Sequence, residues 1–438
     1  MNKLSLSVGV ILASVGAASG VANAQNTVTL FGQNYNIQQF DYSTQVQWPS
    51  ARFPGETLQL VEVEGACYAG NNRLIASSEA MAEVFPGELR NHIIEFELIE
   101  VGGQITGLQF HRTLVVSDFQ VNGYELAPSG LTINTGNAGV GAGGNLVVGT
   151  SEENLRAFSL QAGSVGQLLP ALPGQVCTPS GFSCQLDLTG LVTDVEDVTY
   201  VPGFNQRAGA LYALNQEFPD RVLRIDADGT VNQAGSFNVG GDIANPPAAN
   251  PNPTPKGLSY LADSSQFPAS IRRPGGTIIV ALDDDGPGLQ VFDLSGNLVG
   301  YESLTVDGTP TGASRISTGT CSVTLLIESL AVDPVTGRIF LFNQGDGLVC
   351  NLLFVLSPVT AVTACALADV ASDSLDTTRN PNNAIGPEDL DAFIAAFIAD
   401  NVSIADVASD SLDTTYNPNG AVGPEDLDAF IASFIAGC

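Results

Sequence analysis

The chain has 438 residues, enough for one large domain and an appendage, and its 15 basic residues stand against 46 acidic ones for a net charge of −31. That balance repels polyanions and excludes nucleic acid as a partner. Only two of the basic residues are lysines, Lys3 and Lys256, and most of the carboxylates read as a solvated acidic surface suited to salty surroundings.

Lys3 precedes the apolar run from Leu4 to Ala18, and Ala22-Asn23-Ala24 places small residues around a cleavage point. Residues 1–24 therefore read as a secretory signal cut before Gln25. The run is too short to cross hydrocarbon comfortably, and no later segment is long and apolar enough to do so. The expected location is outside the cytoplasm, secreted or on a cell surface, with no membrane span. Seven cysteines in an exported chain imply disulfides and one thiol left over. Spacing suggests Cys177 with Cys184, Cys321 with Cys350 and Cys365 with Cys438, leaving Cys67 as a buried thiol in an apolar strand.

Residues 25–363 read as one repeating β domain. Strand starts align at EGACYA (Glu64), SGLTIN (Ser129), DVTYVP (Asp197), KGLSYL (Lys256) and ESLAVD (Glu328), at intervals of 65, 68, 59 and 72 residues. Each is followed by a second apolar strand, such as ALYALNQE or RIFLFNQGD, and a third, such as RVLRID or NLLFVLS. The first four units carry a weaker fourth strand and no helix pattern intervenes, which describes a β-propeller. The fifth unit lacks its fourth strand, so TVTLF or TLQLV from the segment before Val63 is expected to close the ring and remove the open sheet edges. The expectation is five blades, or six if the N-terminal stretch forms its own sheet; a β-sandwich or two stacked β domains is the competing architecture. The Pro- and Asn-rich stretch Asn245 to Pro255 reads as a long surface loop, and GVGAGG, which precedes a strand, as a flexible hairpin and not a nucleotide loop.

In a blade, the residues before the first strand and after the second share one face of the molecule. That places Glu64, Ser129, Asp197, Lys256 and Glu328 near the channel mouth, with Glu79, Glu152, Glu217, Asp283, Asp284 and Asp346 around them. Clustered carboxylates repel one another unless a cation neutralises them, and hard oxygen donors favour calcium. The pattern resembles the esterase-like or phytase-like β-propellers, whose blades carry an acidic residue and a Gly ahead of the inner strand. The resemblance spans Glu64 to Pro358 and implies Glu64, Asp197 and Glu328 as channel carboxylates. A phosphate ester would also need basic residues, and this face offers few beyond Lys256 and Arg221. His92 and His111, the only histidines, fall in or beside first-blade strands as structural imidazoles. There is no GxSxG elbow and no Cys/His zinc spacing, and DADG at Asp226 to Gly229 reads as a hairpin turn.

Residues 364–438 carry a duplication. Ala368 to Asn401 recurs as Ala405 to Cys438 and differs only where Arg379, Asn383, Ile385, Ala396, Asp400 and Asn401 become Tyr416, Gly420, Val422, Ser433, Gly437 and Cys438. Each copy runs from an Asp- and Asn-rich segment through Gly-Pro-Glu-Asp into an apolar helix pattern. Pro387 suits the first turn, Glu388 and Asp389 complement the helix dipole, and Leu390, Phe393, Ile394, Phe397 and Ile398 form one stripe. Counting back from Asp389 as position twelve of an EF-hand-like loop puts Ile385 at eight, Asn382 at five and Asn380 at three, with Gly420 at six in the second copy. This resembles dockerin repeats, specifically the GC-type tail that ends in Gly-Cys, as Gly437-Cys438 does. The resemblance implies calcium binding and docking onto a cohesin-like partner. Thr378 stands at position one, so the first ligands stay open among Asp369, Asp373 and Asp376, with Asn380, Asn382 and Asp389 completing the set. Asp406, Asp410, Asp413, Asn417, Asn419 and Asp426 are their counterparts.

Two functions remain open on these grounds. One is a propeller that binds a small-molecule or polymer ligand and is anchored through the tail. The other is a calcium-dependent esterase or phytase-like hydrolase on the carboxylate-rich face.

Overall fold

The computed structural model describes residues 26–436, leaving out 51–52, 54, 79–90, 102–103, 118–119, 122–123, 126–127, 152, 177–183, 193, 206–207, 216–219, 240–253, 284–287, 306–313, 316–326, 344–350, 360–367, 381–385, 410 and 412–417. Five antiparallel units follow one another around a ring. The first blade is Ala66–Gly70, Arg73–Ser78, Asn91–Val101 and Gln104–Ser117, and the second is Pro128–Asn134, Asn145–Thr150, Asn154–Phe158 and Leu186–Asp187. The third is Val195–Val201, Ala210–Asn215, Arg221–Ile225 and Val231–Asn238. The fourth is Thr254–Leu261, Thr277–Asp283, Gly288–Asp293 and Leu298–Thr305, with Ser314–Arg315 added in parallel at its rim.

The fifth blade joins the two ends of the domain. Ile327–Val332, Ile339–Asn343 and Leu352–Pro358 are completed by Gln33–Asp41, which pairs with the last of them from Tyr35 opposite Pro358 to Asp41 opposite Leu352. Asn26–Leu30 then lies outside Gln33–Asp41. Ring closure by the N-terminal segment is thus as expected, but by a different strand. TVTLF forms the outermost strand, and TLQLV contributes Thr57–Gln59 to a small hairpin with Gln47–Pro49. The closing strand, QNYNIQQFD, is polar because a strand near a blade's rim has a mostly wetted face. Its burial does not alternate: Tyr35 and Phe40, five residues apart and so on opposite faces, carry the buried apolar contacts.

The blades stick together by their faces. Five apolar layers alternate with the five sheets: Leu131, Leu146 and Phe158 meet Cys67, Ile75 and Ile93 between the first and second blades, and Val198, Leu211 and Leu223 meet Val147 and Ala157 between the second and third. Tyr212, Leu214 and Val222 meet Leu258, Ile278 and Val280 in the next layer. Ile279 and Val291 meet Leu330 and Leu341 between the fourth and fifth, and Phe340 and Phe342 meet Leu74 and Phe96 to complete the circuit. Second and third strands are buried on both faces, which is why their sequences are continuous apolar runs. Arg338 of the fifth blade adds a bidentate pair, both nitrogens 2.9 Å from Glu100 of the first.

At the axis the inner strands approach too closely for ordinary side chains. A Cβ on Gly65 would sit 2.0 Å from the Ser129 carbonyl oxygen, one on Gly130 2.4 Å from the Asp197 Cα, and one on Gly257 2.9 Å from the Leu330 nitrogen. Glycine at these points is what allows neighbouring backbones to meet.

The C-terminal segment is helical, with Pro387–Ile398, the short Val402–Ala405 and Pro424–Ala436. Both long helices begin at the proline of GPED, as expected. One core serves both copies: Phe393 and Phe430 stack with ring centroids 3.8 Å apart at 9°, surrounded by Val370, Ala371, Ile404, Val407 and Ala408.

Among the described cysteines, Cys67 is a free buried thiol whose pKa burial pushes up, as expected. Cys177, Cys321, Cys350, Cys365 and Cys438 lie outside the described residues, as do residues 1–25.

Deleting residues 26–41 removes the closing strand and leaves Leu352–Pro358 as a long apolar edge. The expected outcome is loss of monomeric protein, read by size exclusion with light scattering; a monomer that still melts cooperatively would contradict the closure described here.

Candidate functional site: a carboxylate cluster at the channel mouth

A repeated irregularity of the inner strands builds the site. In the third blade Val195 pairs with Asn215 and Asp197 with Leu214, so Glu196 has no residue opposite it. Lys256 is the extra residue between Pro255, opposite Leu282, and Gly257, opposite Ala281. Glu328 is extra between Ile327, opposite Asn343, and Ser329, opposite Phe342. In the second blade Ser129 and Gly130 together face the single residue between Thr150 and Val148. A bulge inserts one residue, bends the strand and re-aims a side chain. Here it does so at the same point of four consecutive blades. In the first blade Glu64 lies two residues before its strand, where the Gly65 N–H donates to Ser77 Oγ (2.9 Å) and the Ser77 N–H returns to the Gly65 carbonyl (2.9 Å).

These positions converge. One carboxylate oxygen from each of Glu64, Glu196 and Glu328 lies within 4.8 Å of the other two. Glu196 and Glu328 are buried and Glu64 is half-buried. Lys256 Nζ sits 2.5 Å from Glu196 and 3.2 Å from Glu328. Burial alone would lower the pKa of this ammonium, but Glu196, Glu328 and Glu64 outweigh burial and hold it above its usual value. The contribution of this pairing to stability is therefore complete below the ordinary lysine pKa and is lost only as pH rises beyond it. Three carboxylates against one ammonium leave the cluster net negative.

Glu64, Lys256 and Glu328 thus come together, with Ser129 buried at the corresponding point of the second blade. Asp197 does not. It is fully buried, with Oδ1 accepting from its neighbour's amide, Val198 N (2.7 Å), and Oδ2 from Leu258 N of the fourth blade (2.6 Å). Leu131 of the second blade also donates its amide. Burial pushes the Asp197 carboxyl well above the usual range, and these three amides work against that rise. Asp197 occupies the slot filled by Gly65, Gly130 and Gly257, and it fastens three inner strands together. The channel residue of this blade is Glu196, one position earlier. The sequence does carry the signal: aligned on the small residue, SG, KG and ES leave ED as the matching pair.

Glu79, Glu152, Glu217, Asp284 and Asp346 lie outside the described residues, as does the side chain of Asp283. His92 is on the third strand of the first blade, opposite Val116 and beside the Trp48 ring at 5.7 Å between centroids. It is a core residue, as expected.

In the tail, Asp389 and Asp426 are fully buried. Asp389 Oδ1 accepts from Val370 N (2.7 Å) and Ala371 N (2.9 Å), and Oδ2 from Gly386 N (2.9 Å). Asp426 repeats this with Val407 (2.7 Å), Ala408 (2.8 Å) and Gly423 (2.8 Å). Asp406 accepts from Asn419 N and Gly420 N, and Asp376 from Ser372 N, Asp373 N and Asn380 Nδ2. Asp369 is buried, Asp373 exposed. Asn382, Asp410, Asp413 and Asn417 lie outside the described residues. Among the described residues, the acidic groups that converge as a metal site would require are the three glutamates of the propeller.

No family model matches this chain, and no curated protein matches it. Among solved structures it is similar to the crystal structure of a glutaminyl cyclase from Myxococcus xanthus, at 12% identity and a TM-score of 0.37, covering 74% of this chain and 95% of that one. It is also similar to a structural genomics protein of unknown function from Bacteroides thetaiotaomicron, at 14% identity and a TM-score of 0.35, covering 74% and 76%. At these scores the five-bladed architecture rests on the strand pairing described above.

Lys256→Gln leaves the carboxylates without their counter-ion and is expected to cost about 3 kcal/mol at neutral pH. The loss is read by denaturant unfolding of the variant beside the wild-type chain, and an unchanged midpoint would show that the ammonium does not support the cluster. By contrast, Asp197→Ala strands amides of three blades and should cost about 2 kcal/mol or more at any pH where the chain folds.

Proposed function

We propose that this chain is a secreted ligand-binding propeller whose recognition centre is the cluster of Glu64, Glu196 and Glu328. The observation that carries this reading is that bulges in the third and fifth blades, with the residue just before the first blade's inner strand, bring three carboxylates within 4.8 Å of one another at the ends of the inner strands. Such a donor set suits a hard cation, and calcium is the one it fits best, since calcium takes six to eight oxygens in flexible geometry. Three glutamates would hold the ion, and it would supply a fixed positive charge for the oxygens of a small-molecule or polymer ligand. The rigid inner strands orient the carboxylates, and Lys256 balances part of their charge in the absence of the ion.

The hydrolase reading is weaker. A phosphate ester needs free cations to hold it, and Lys256 is already engaged by two carboxylates. The duplicated tail, by its resemblance to GC-type dockerins, serves in this reading as the attachment to a cohesin-like partner, which places the propeller on a surface or assembly.

Calorimetric titration of the full chain with calcium tests the central claim. Uptake is expected, with Glu196→Gln weakening it by about tenfold or more, the equivalent of one charged ligand. Asp197→Asn, which touches only the neighbouring backbone, should leave affinity within about twofold at temperatures where it remains folded. No uptake by the wild-type chain, or uptake indifferent to Glu196→Gln, would overturn the reading. Calcium-dependent cleavage of phosphate or carboxylate esters that Glu64→Gln abolishes would replace it with the hydrolase.

A further inference from the structure

We infer that the duplicated tail holds its fold without calcium, and that Asp389 and Asp426, the residues an EF-hand-like loop would place at its twelfth position, act instead as buried staples between each helix and the segment preceding it.

The donor arithmetic argues this. A carboxylate at position twelve must turn both oxygens toward the ion. In the first copy Oδ1 of Asp389 has two lone pairs, and Val370 and Ala371 N–H groups occupy both. Oδ2 accepts from the backbone N–H of Gly386, the residue that opens the helix. Val370 and Ala371 are themselves buried. Turning Asp389 to an ion would strand their amides away from water, and each stranded donor is costly.

Two more carboxylates of the expected donor set accept hydrogen bonds from nearby groups. Asp376 gathers the amides of Ser372 and Asp373 and the side chain of Asn380, while the Asn380 amide itself returns to the Val370 carbonyl (2.9 Å). In the second copy Asp406 gives one oxygen to each of Asn419 N and Gly420 N. The carboxylates of Asp376, Asp389, Asp406 and Asp426 are thus each spent on a separate backbone turn, which is the opposite of convergence on one point.

Repetition supports the assignment independently. The staple spans 19 and 18 residues in both copies, and its three distances agree between copies to within 0.1 Å. The staple also has a packing purpose: it pulls Val370, Ala371, Val407 and Ala408 into the core that surrounds the Phe393–Phe430 stack. That shared core supplies the cohesion an ion would otherwise provide.

Hydrogen exchange of the intact chain, read by mass spectrometry on peptides covering 368–372 and 405–409, tests the inference. Protection of these amides should be the same in excess calcium and in excess chelator. Asp389→Asn should lower protection of the first peptide by about tenfold or more, whereas Asp373→Asn, at an exposed carboxylate of the expected ligand set, should leave it unchanged. Protection that collapses on chelation would overturn the inference, and so would sensitivity to Asp373→Asn. If Asp389→Asn fails to fold, the chelator comparison on the wild-type chain still decides. Because these peptides lie in the tail, the result is separate from any calcium held by the propeller glutamates.

Discussion

The close approach of inner strands at the axis is the constraint on which the rest of the propeller depends. Five sheets can pack face to face around a ring only if their innermost backbones come nearly into contact, and at Gly65, Gly130 and Gly257 the neighbouring main chain occupies the space a side chain would need. Where the third blade substitutes Asp197, the carboxylate becomes part of the contact by accepting amides from the blades on either side. The same crowding disposes of the preceding residue. That residue is the extra one of the bulge in the third, fourth and fifth blades. The residues of the site are thus set by where the blades meet.

That choice is unusual. Ser129, Glu196, Lys256 and Glu328 at the bulges, with Glu64 before the first blade, place three carboxylates around a single ammonium in a half-buried setting. A fold selected for stability alone would put neutral side chains here, since separating paired charges from water gains little and like charges at this range cost stability. The concentration of negative charge at one mouth is what makes this face chemically directional.

Much of this was legible in the sequence. Second and third strands are buried on both faces, so their apolar runs announce themselves, and the near-constant spacing of the units follows from a ring of equal blades. Two features were hidden for physical reasons. The closing strand Gln33–Asp41 lies near a rim and needs few apolar residues, so its pattern resembles a polar loop. The identity of the third channel residue turned on a one-position register. Glu196 and Asp197 are adjacent acids, and only the bulge, visible in the pairing of Val195 and Asp197, tells which one faces the channel and which is buried. The tail shows a related ambiguity: Asp389 has the spacing of an EF-hand ligand and the environment of a capping group, because both roles require a carboxylate at the start of a helix.

The strand that closes the ring is synthesised early and meets its fifth-blade partner last. Gln33–Asp41 pairs with Leu352–Pro358, more than 300 residues later in the chain, so the edge that joins the fifth blade has no strand beside it until that blade has emerged. Nascent chains must therefore carry an unsatisfied Gln- and Asn-rich edge throughout elongation, and the final zippering step is a long-range loop closure of the slow kind. Its polar composition keeps that waiting segment soluble, where an apolar strand would invite pairing with other chains.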